Sequence, residues 1–104
     1  MADGARWTTP SILLQMRPAP ESRSVIGAGF TATKKLGNAV QRNRAKRRLR
    51  AAAQAVMPLH ARAGHDYVLV ARDGALTRSF PDILHDLTLA LSKVHAMRPR
   101  KPNP

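Results

Sequence analysis

Residues 34–50 read KKLGNAVQRNRAKRRLR, and this stretch joins a turn to a helix that is both cationic and amphipathic. Gly37 and its neighbours are typical of a turn, and we expect a helix from about residue 40 to residue 57, ended by Pro58. At about 100° per residue, apolar side chains recur on one side of this helix. They are Ala45, Leu49, Ala52 and Val56. The helix therefore has an apolar side that can pack on a core and a cationic side.

The cationic side of this helix predicts an anionic partner. Six of the nine residues from 42 to 50 are Lys or Arg, and no acidic residue lies three or four positions away. Like charges at this density destabilise an isolated helix. The whole chain has 18 Lys and Arg against 6 Asp and Glu, a formal net charge of +12. Nucleic acid is the first candidate and an acidic membrane surface the second. Asn43 can bond a base edge or a 2′-hydroxyl, or bond locally.

The length and composition favour one soluble domain. A chain of 104 residues with 43% hydrophobic residues can bury a single core. No cysteine is present, which excludes disulfides, a thiolate nucleophile and a Cys-based zinc site. The chain has no signal-peptide pattern, and no apolar stretch reaches the roughly 18 residues that span a bilayer. We therefore predict a cytoplasmic protein that does not act at a membrane.

Apolar patterns on either side of the basic helix predict the remaining elements. Alternation predicts strands at residues 11–17 and 25–33, which we expect to pair as a hairpin. A nearly all-apolar run at residues 66–71 predicts a strand buried on both faces. Ser79 or Asp82 can cap a last helix. Its apolar stripe comprises Ile83, Leu84, Leu87, Leu91 and Val94. The order strand–strand–helix–strand–helix predicts an α+β fold, with a small mixed sheet and helices on one side of it.

These elements define the expected domain boundaries. One α+β domain spans residues 11–96. An irregular segment at residues 1–10 precedes it, and a disordered basic tail at residues 97–104 follows it. Asp73 and Gly74 predict a turn between the last strand and the last helix.

The strand at residues 25–33 has one face of unusually small side chains. They are Gly27, Gly29, Thr31 and Thr33. By themselves the glycines favour a bulge or a weakened strand. The alternative is a shallow groove where another backbone approaches closely.

No constellation of catalytic or metal-binding residues is recognisable. The four histidines have no helical zinc spacing and no cysteine or glutamate beside them. Asp82 and Asp86 lie four residues apart on the last helix, and we interpret them as surface residues and a capping charge, not as ligands of catalytic metals. We predict no catalytic residue and no metal site in the protein.

The string at residues 39–50, AVQRNRAKRRLR, resembles the arginine-rich signature of the bacterial ribonuclease P protein subunit. Residues 33–38 and 66–72 resemble the same family, and the resemblance covers roughly residues 5–96. It implies a protein that binds a large catalytic RNA and assists cleavage of the 5′ leader from precursor tRNA. In that family the active site and its magnesium ions belong to the RNA. The chain would then be a subunit of an endoribonuclease, with no cofactor and no obligate protein partner of its own.

The resemblance also assigns roles to residues and a topology to the fold. The residues expected to contact the catalytic RNA are Arg42, Asn43, Arg44, Lys46, Arg47 and Arg50. The residues expected at the edge of a cleft for the leader are Lys34, Lys35, Thr31, Thr33 and Gly29, with Gly27 on the same face. The small side chains then leave room for a nucleotide backbone. The implied fold is a two-layer sandwich like that of some ribosomal proteins, with a left-handed βαβ crossover through the basic helix.

Family members usually carry an N-terminal helix before the segment equivalent to residues 4–7, and this chain begins after it. We expect a more open leader cleft as a result, whether the chain is truncated or naturally short. The main alternative function is a ribosome-associated or other structured-RNA-binding protein without a role in cleavage. A membrane-binding amphipathic helix and an autonomous nuclease are further alternatives.

Overall fold

Four strands and three α-helices form the part of the chain that the computed structural model describes, which is residues 4–18, 27–62 and 64–96. The elements are β1 (Ala5–Thr8), β2 (Ile12–Pro18), β3 (Gly27–Thr31), α1 (Ala39–His60), β4 (His65–Ala71), α2 (Gly74–Thr77) and α3 (Phe80–Ala96), with a 3₁₀ turn (Lys34–Leu36) before α1. The predicted α+β fold is confirmed.

The last strand along the chain lies inside the sheet. The strand order is β1-β2-β4-β3, so β4 separates β2 from β3. β4 is antiparallel to β2 and parallel to β3, to which it is connected through α1. The mixed sheet is therefore confirmed, and the predicted hairpin between residues 11–17 and 25–33 is wrong. Because β4 is nearly all apolar, it gains most from neighbours on both sides, whereas β3 contains two glycines and lies at the edge. The left-handed sense of the crossover stays a prediction.

Both long helices pack on one face of the sheet, as predicted. On that face β2 and β4 pair apolar side chains across the ladder, for example Leu14 with Leu69. α1 contributes Ala45, Leu49, Ala52, Ala53, Val56 and Met57 to this core. α3 contributes Ile83, Leu87, Ala90, Leu91 and Val94. On the opposite face of β4, Val68 and Val70 are only half-buried. The prediction that this strand is buried on both faces is therefore wrong, because the helices cover one face alone.

A short edge strand, β1, occupies part of the segment that we expected to be irregular. Ala5 pairs with Met16, and Trp7 pairs with Leu14, so both point toward the helical layer. The expectation for residues 1–10 is therefore wrong for Ala5–Thr8. Four residues are too few to display a strand period, and the pairing partner β2 supplies the stability that the local sequence lacks.

Helix α1 begins within one residue of its predicted start and continues past Pro58. The predicted end at residue 57 is wrong, since the helix extends to His60. Pro58 lies in the last turn, where it removes only the hydrogen bond to the carbonyl of residue 54. The Ala61 N–H still donates to the Met57 carbonyl at 2.8 Å. Burial of Met57 on the sheet offsets the lost bond and holds the last turn in place.

Asp86 is a buried carboxylate, so its interpretation as a surface residue is wrong. It is 3% exposed. Its Oδ2 accepts a hydrogen bond from the Ser11 hydroxyl at 2.6 Å and lies 2.9 Å from Nε of Arg78. These partners stand 75 and 8 residues away along the chain, which no local pattern reveals. Asp82 is exposed as expected, and the Ser79 hydroxyl caps α3 by accepting from the Asp82 N–H.

The segment that we expected to be a simple turn contains the short helix α2. Gly74 begins it and donates its N–H to the Pro10 carbonyl at 3.0 Å. A Cβ at Gly74 would stand 2.5 Å from that oxygen, so the close approach requires glycine. The predicted tail at residues 97–104 lies outside the described residues, as does the start of the predicted strand at residues 25–26.

Candidate nucleic-acid interface

Reciprocal hydrogen bonds in the turn at residues 37–41 stabilise the N-terminus of α1. Gly37 has φ of 148°, a conformation that residues with side chains rarely adopt. The Asn38 side chain accepts from the Gln41 N–H, and the Gln41 side chain accepts from the Asn38 N–H, each at 2.9 Å. Arg42 adds a bond from Nη1 to the Gly37 carbonyl at 2.9 Å. This capping box places the cationic side of α1 directly after the 3₁₀ turn, Lys34–Leu36.

The side chains of α1 that are predicted to contact RNA differ in their exposure to solvent and in their contacts within the protein. Asn43, Arg44 and Arg47 are exposed, and no acidic side chain in the described ranges pairs with either arginine. Lys46 is half-buried. The Arg50 guanidinium lies over the Phe30 ring, 5.5 Å from its centroid. Arg42 is partly engaged by the turn. The structure therefore places all six side chains on one helix, with Asn43, Arg44 and Arg47 most open to a ligand.

One cation of the same run is a structural residue. The Arg48 guanidinium donates to the Ala75 carbonyl at 2.9 Å and to the Arg78 carbonyl at 2.7 Å. It thereby ties α1 to α2 and to the residue that pairs with Asp86. No local pattern predicts these contacts, because the partners of Arg48 lie 27 and 30 residues away along the chain.

The predicted cleft residues lie on the opposite face of the sheet from α1. Gly29 and Thr31 share the outer face of β3 with Val68 and Val70 of β4 through the parallel register. A Cβ at Gly29 would meet nothing within 4 Å, so space is open above it. At Gly27 a Cβ would collide with the Asp66 carboxylate, which lies beside it on the outer face, so this glycine leaves room for that side chain.

Two shallow cavities lie on this outer face. The first, of about 550 Å³, joins Thr33 and Lys35 to Leu13, Val70 and Arg72. The second, of about 370 Å³, lies toward the other end of the sheet and is lined in part by Arg6, Gln15 and Arg17. Lys34 is exposed on the 3₁₀ turn, which connects the outer face to the start of α1.

Sequence reasoning missed three cations of the outer face, namely Arg6, Arg17 and Arg72. The alternation of β2 already put Arg17 on the face of Leu13, but nothing local showed that this face stays uncovered. Arg6 depends on the pairing of β1 with β2, where it stands opposite Gln15. Arg72 is further anchored by a bond from Nη1 to the Thr9 carbonyl at 3.1 Å.

The titratable groups at the far end of α1 form a structural cluster. The Tyr67 hydroxyl accepts from the Arg62 N–H at 2.8 Å and lies 2.8 Å from Nε2 of His95. Burial raises the pKa of Tyr67. Burial, followed by the charges of Arg62, His65 and His60, lowers the pKa of His95. Tyr67 therefore stays protonated and the His95 imidazole neutral, and the two side chains share one hydrogen bond.

No group of three His, Cys, Asp or Glu side chains in the described ranges is arranged to hold a metal ion. No helix there is long and apolar enough to cross a bilayer.

A two-layer α+β fold with an uncompensated cationic helix and a cationic outer sheet face is typical of a nucleic-acid-binding protein. The family model described as Ribonuclease P matches residues 1–95, and the chain belongs to this family. The ribonuclease P protein component of Caulobacter vibrioides is 51% identical over 86 residues, which cover 83% of this chain and 58% of the relative. That of Paramagnetospirillum magneticum is 44% identical over 96 residues, which cover 89% and 72%. The chain thus spans less than two thirds of the Caulobacter protein.

A solved structure agrees with the fold. The ribonuclease P protein of Staphylococcus aureus superposes with a TM-score of 0.70 at 26% identity, over 93% of this chain and 84% of that one. The predicted resemblance to the ribonuclease P protein family is confirmed.

Proposed function

We propose that this chain is the protein subunit of a ribonuclease P ribonucleoprotein, which removes the 5′ leader of precursor tRNA. The observation that carries this proposal is the cationic side of α1, where Arg44 and Arg47 are exposed without acidic partners in a chain of the ribonuclease P family. A folded domain keeps such a surface at a cost in stability unless a polyanion neutralises it. The capping box and Arg48 hold that surface rigid, so little ordering is needed when RNA binds.

In this proposal the protein contributes charge and position, and the RNA contributes the chemistry. Arg44, Arg47, Lys46 and Arg50 neutralise phosphates of the catalytic RNA and release its counterions. Asn43 stands among them as the neutral hydrogen-bonding group. Magnesium ions, held by the RNA and not by this chain, would supply the chemistry of cleavage. The protein lowers the magnesium concentration that the RNA needs, because part of the phosphate repulsion is already neutralised.

The outer sheet face is the proposed position of the single-stranded leader. Gly29 leaves open space there, and Thr33 and Lys35 line the adjoining cavity. Toward the other end of the sheet, Arg6 and Arg17 outnumber the one acidic residue of that cavity, Asp66. Phosphate contacts of this kind position a strand without reading its sequence. The precursor would therefore bind more tightly than mature tRNA, which lacks the leader.

The test is cleavage of precursor tRNA by a bacterial ribonuclease P RNA at low magnesium, with and without the chain. We expect clear stimulation by the protein, which weakens as the magnesium concentration rises. The Arg44→Ala, Arg47→Ala double variant should stimulate less at the same concentration. A folded chain that binds the RNA without stimulating cleavage would favour the alternative, a structured-RNA-binding protein with no role in cleavage.

A further inference from the structure

A groove of about 440 Å³ lies between the edge strand β3 and the second half of α1, on the helical side of the sheet. It is lined chiefly by Ala28, Phe30, Arg50, Gln54, Met57 and Pro58. Met57 is 5% exposed and forms part of the floor with the half-buried Phe30. Ala28, Arg50 and Gln54 are exposed and form the rim. The outer-face cleft has no part in this groove.

The chemistry of the groove is that of a small binding site. Its walls are apolar, and its polar groups are a guanidinium and a side-chain amide. The small side chain of Ala28 leaves the space open. The Arg50 guanidinium lies over the Phe30 ring, so a flat group entering the groove can stack on a planar cation that an aromatic ring supports.

We propose that this groove binds one unstacked nucleobase of the RNA that lies along α1. The inference rests on the proposed function, since α1 must bring RNA to the groove. A base offers a flat π-face for Phe30 and Arg50, and a polar edge for the Gln54 amide, which can both donate and accept. Lys46 and Arg47, about one turn before Arg50, suit the phosphates on either side of that base.

The net charge of the protein favours a nucleobase over a second copy of this chain as the occupant of the groove. Each copy carries a formal net charge of +12. Two copies that met at a groove rimmed by Arg50 would bring their cationic helices together and repel. A polynucleotide instead supplies the apolar face and the neutralising phosphates in one molecule.

The direct readout is the methyl resonance of Met57 in the full chain. Two probes are compared: a single-stranded decamer of adenylates, and the same ribose-phosphate chain without bases. The decamer should shift the Met57 methyl through the ring current of the bound base. The base-free chain should leave it in place while still binding through its phosphates.

Affinity for the same two probes gives a second measure. We expect Ala28→Leu to fill the groove from its exposed rim and to reduce the preference for the base-bearing decamer by about fivefold or more, the effect of losing one stacked base. Phe30→Leu should do the same by removing the aromatic face. Leu59→Ala is the matched control, since Leu59 is 80% exposed on the same helix and lies outside the groove.

Three outcomes would overturn the groove proposal. An unchanged Met57 resonance with bound decamer would reject it and leave the proposed function intact. A Met57 shift that follows protein concentration without RNA would assign the groove to a second copy. If the wild-type chain bound neither of the two probes nor the catalytic RNA, the proposed function would be rejected as well.

Discussion

The cationic side of α1 and the outer face of the sheet are both cationic surfaces, but they are built in different ways. All cations of the first come from nine consecutive residues on one helix. Those of the second come from β1, β2, the 3₁₀ turn and the end of β4, which meet only in the folded sheet. A local surface keeps its spacing as long as its helix is intact, whereas an assembled surface depends on strand order. The two should therefore respond differently to mutations.

The largest expected effect comes from the buried contact that ties the two layers together. Asp86→Ala leaves the Ser11 hydroxyl and the Arg78 guanidinium without their shared partner, and it loosens the residue whose carbonyl holds Arg48. Because Arg78 is about a third exposed, we expect a loss of about 2–3 kcal/mol, below the range for fully buried pairs. Urea unfolding measures it.

Asp82→Ala is the control on the same helix. Asp82 is exposed in the first turn of α3, where its loss should cost under about 1 kcal/mol. Equal losses for the two variants would show that the Asp86 network does not stabilise the fold.

Two neighbouring arginines of α1 separate RNA binding from folding. Arg47→Met removes an exposed cation and should reduce the slope of log affinity against log salt by about one unit, with little change in stability. Arg48→Met removes the same charge but also two bonds to carbonyls, and should cost about 1–2 kcal/mol of stability. Salt titrations of catalytic-RNA binding and urea unfolding measure the pair. Identical behaviour of the two variants would contradict the structural role of Arg48.

The outer face can be blocked without disturbing the fold. Gly29→Val adds a side chain where a Cβ meets nothing within 4 Å, and valine suits a strand. We expect wild-type stability and about fivefold weaker binding of precursor tRNA to the holoenzyme, equivalent to about 1 kcal/mol. Binding of mature tRNA should not change. Normal binding of precursor tRNA by this variant would show that the leader does not bind on the outer face.

The smallest expected effect is the response of the Tyr67–His95 contact to pH. Because burial and nearby cations hold the pKa of His95 below its ordinary 6.5, the unfolded chain takes up this proton first as the pH falls. The free energy of unfolding should therefore decrease below about pH 6.5, until the folded-state pKa is reached. The raised pKa of Tyr67 predicts a further loss above pH 10.0.

Thermal unfolding from pH 7.5 to 5 compares the wild type with His95→Gln. The variant should lose part of the acid sensitivity, and the difference should be small because His95 remains partly solvated. The same pH dependence in both chains would remove His95 as its source.

The elements with a clear local period were predictable, and their arrangement was not. α1, β2, β4 and α3 were predicted close to their observed bounds, because each has an apolar pattern several residues long. β1 was missed because it has only four residues. The order of β2, β4 and β3 was missed because the sequence shows which strands are apolar, but not which of them become neighbours.

In the candidate site, too, the features that depend on nearby residues were predictable, and those that depend on distant residues were not. The exposed cations of α1 follow from charge density and helical spacing alone, and the family resemblance supplied the catalytic RNA as their proposed partner. Asp86 was misjudged and the internal contacts of Arg48 were not foreseen, since folding brings Ser11 to Asp86 and two carbonyl groups to Arg48 from distant parts of the chain. The groove at Phe30 was not foreseen at all, because a cavity between a strand and a helix exists only once the two are packed.

The sequence by itself determined the charge, the helical periodicity and the arginine-rich string at residues 39–50, because these features depend on residues a few positions apart. With the apolar patterns of the strands and the last helix, those features predicted the fold class, and the arginine-rich string carried the resemblance to the family. Only the tertiary structure decided four features. They are the strand order, the burial of Asp86, the anchoring of Arg48 and the separation of the two cationic surfaces onto opposite faces of the sheet. Each of them depends on contacts between residues far apart in the chain, and those contacts are selected by packing of the whole core.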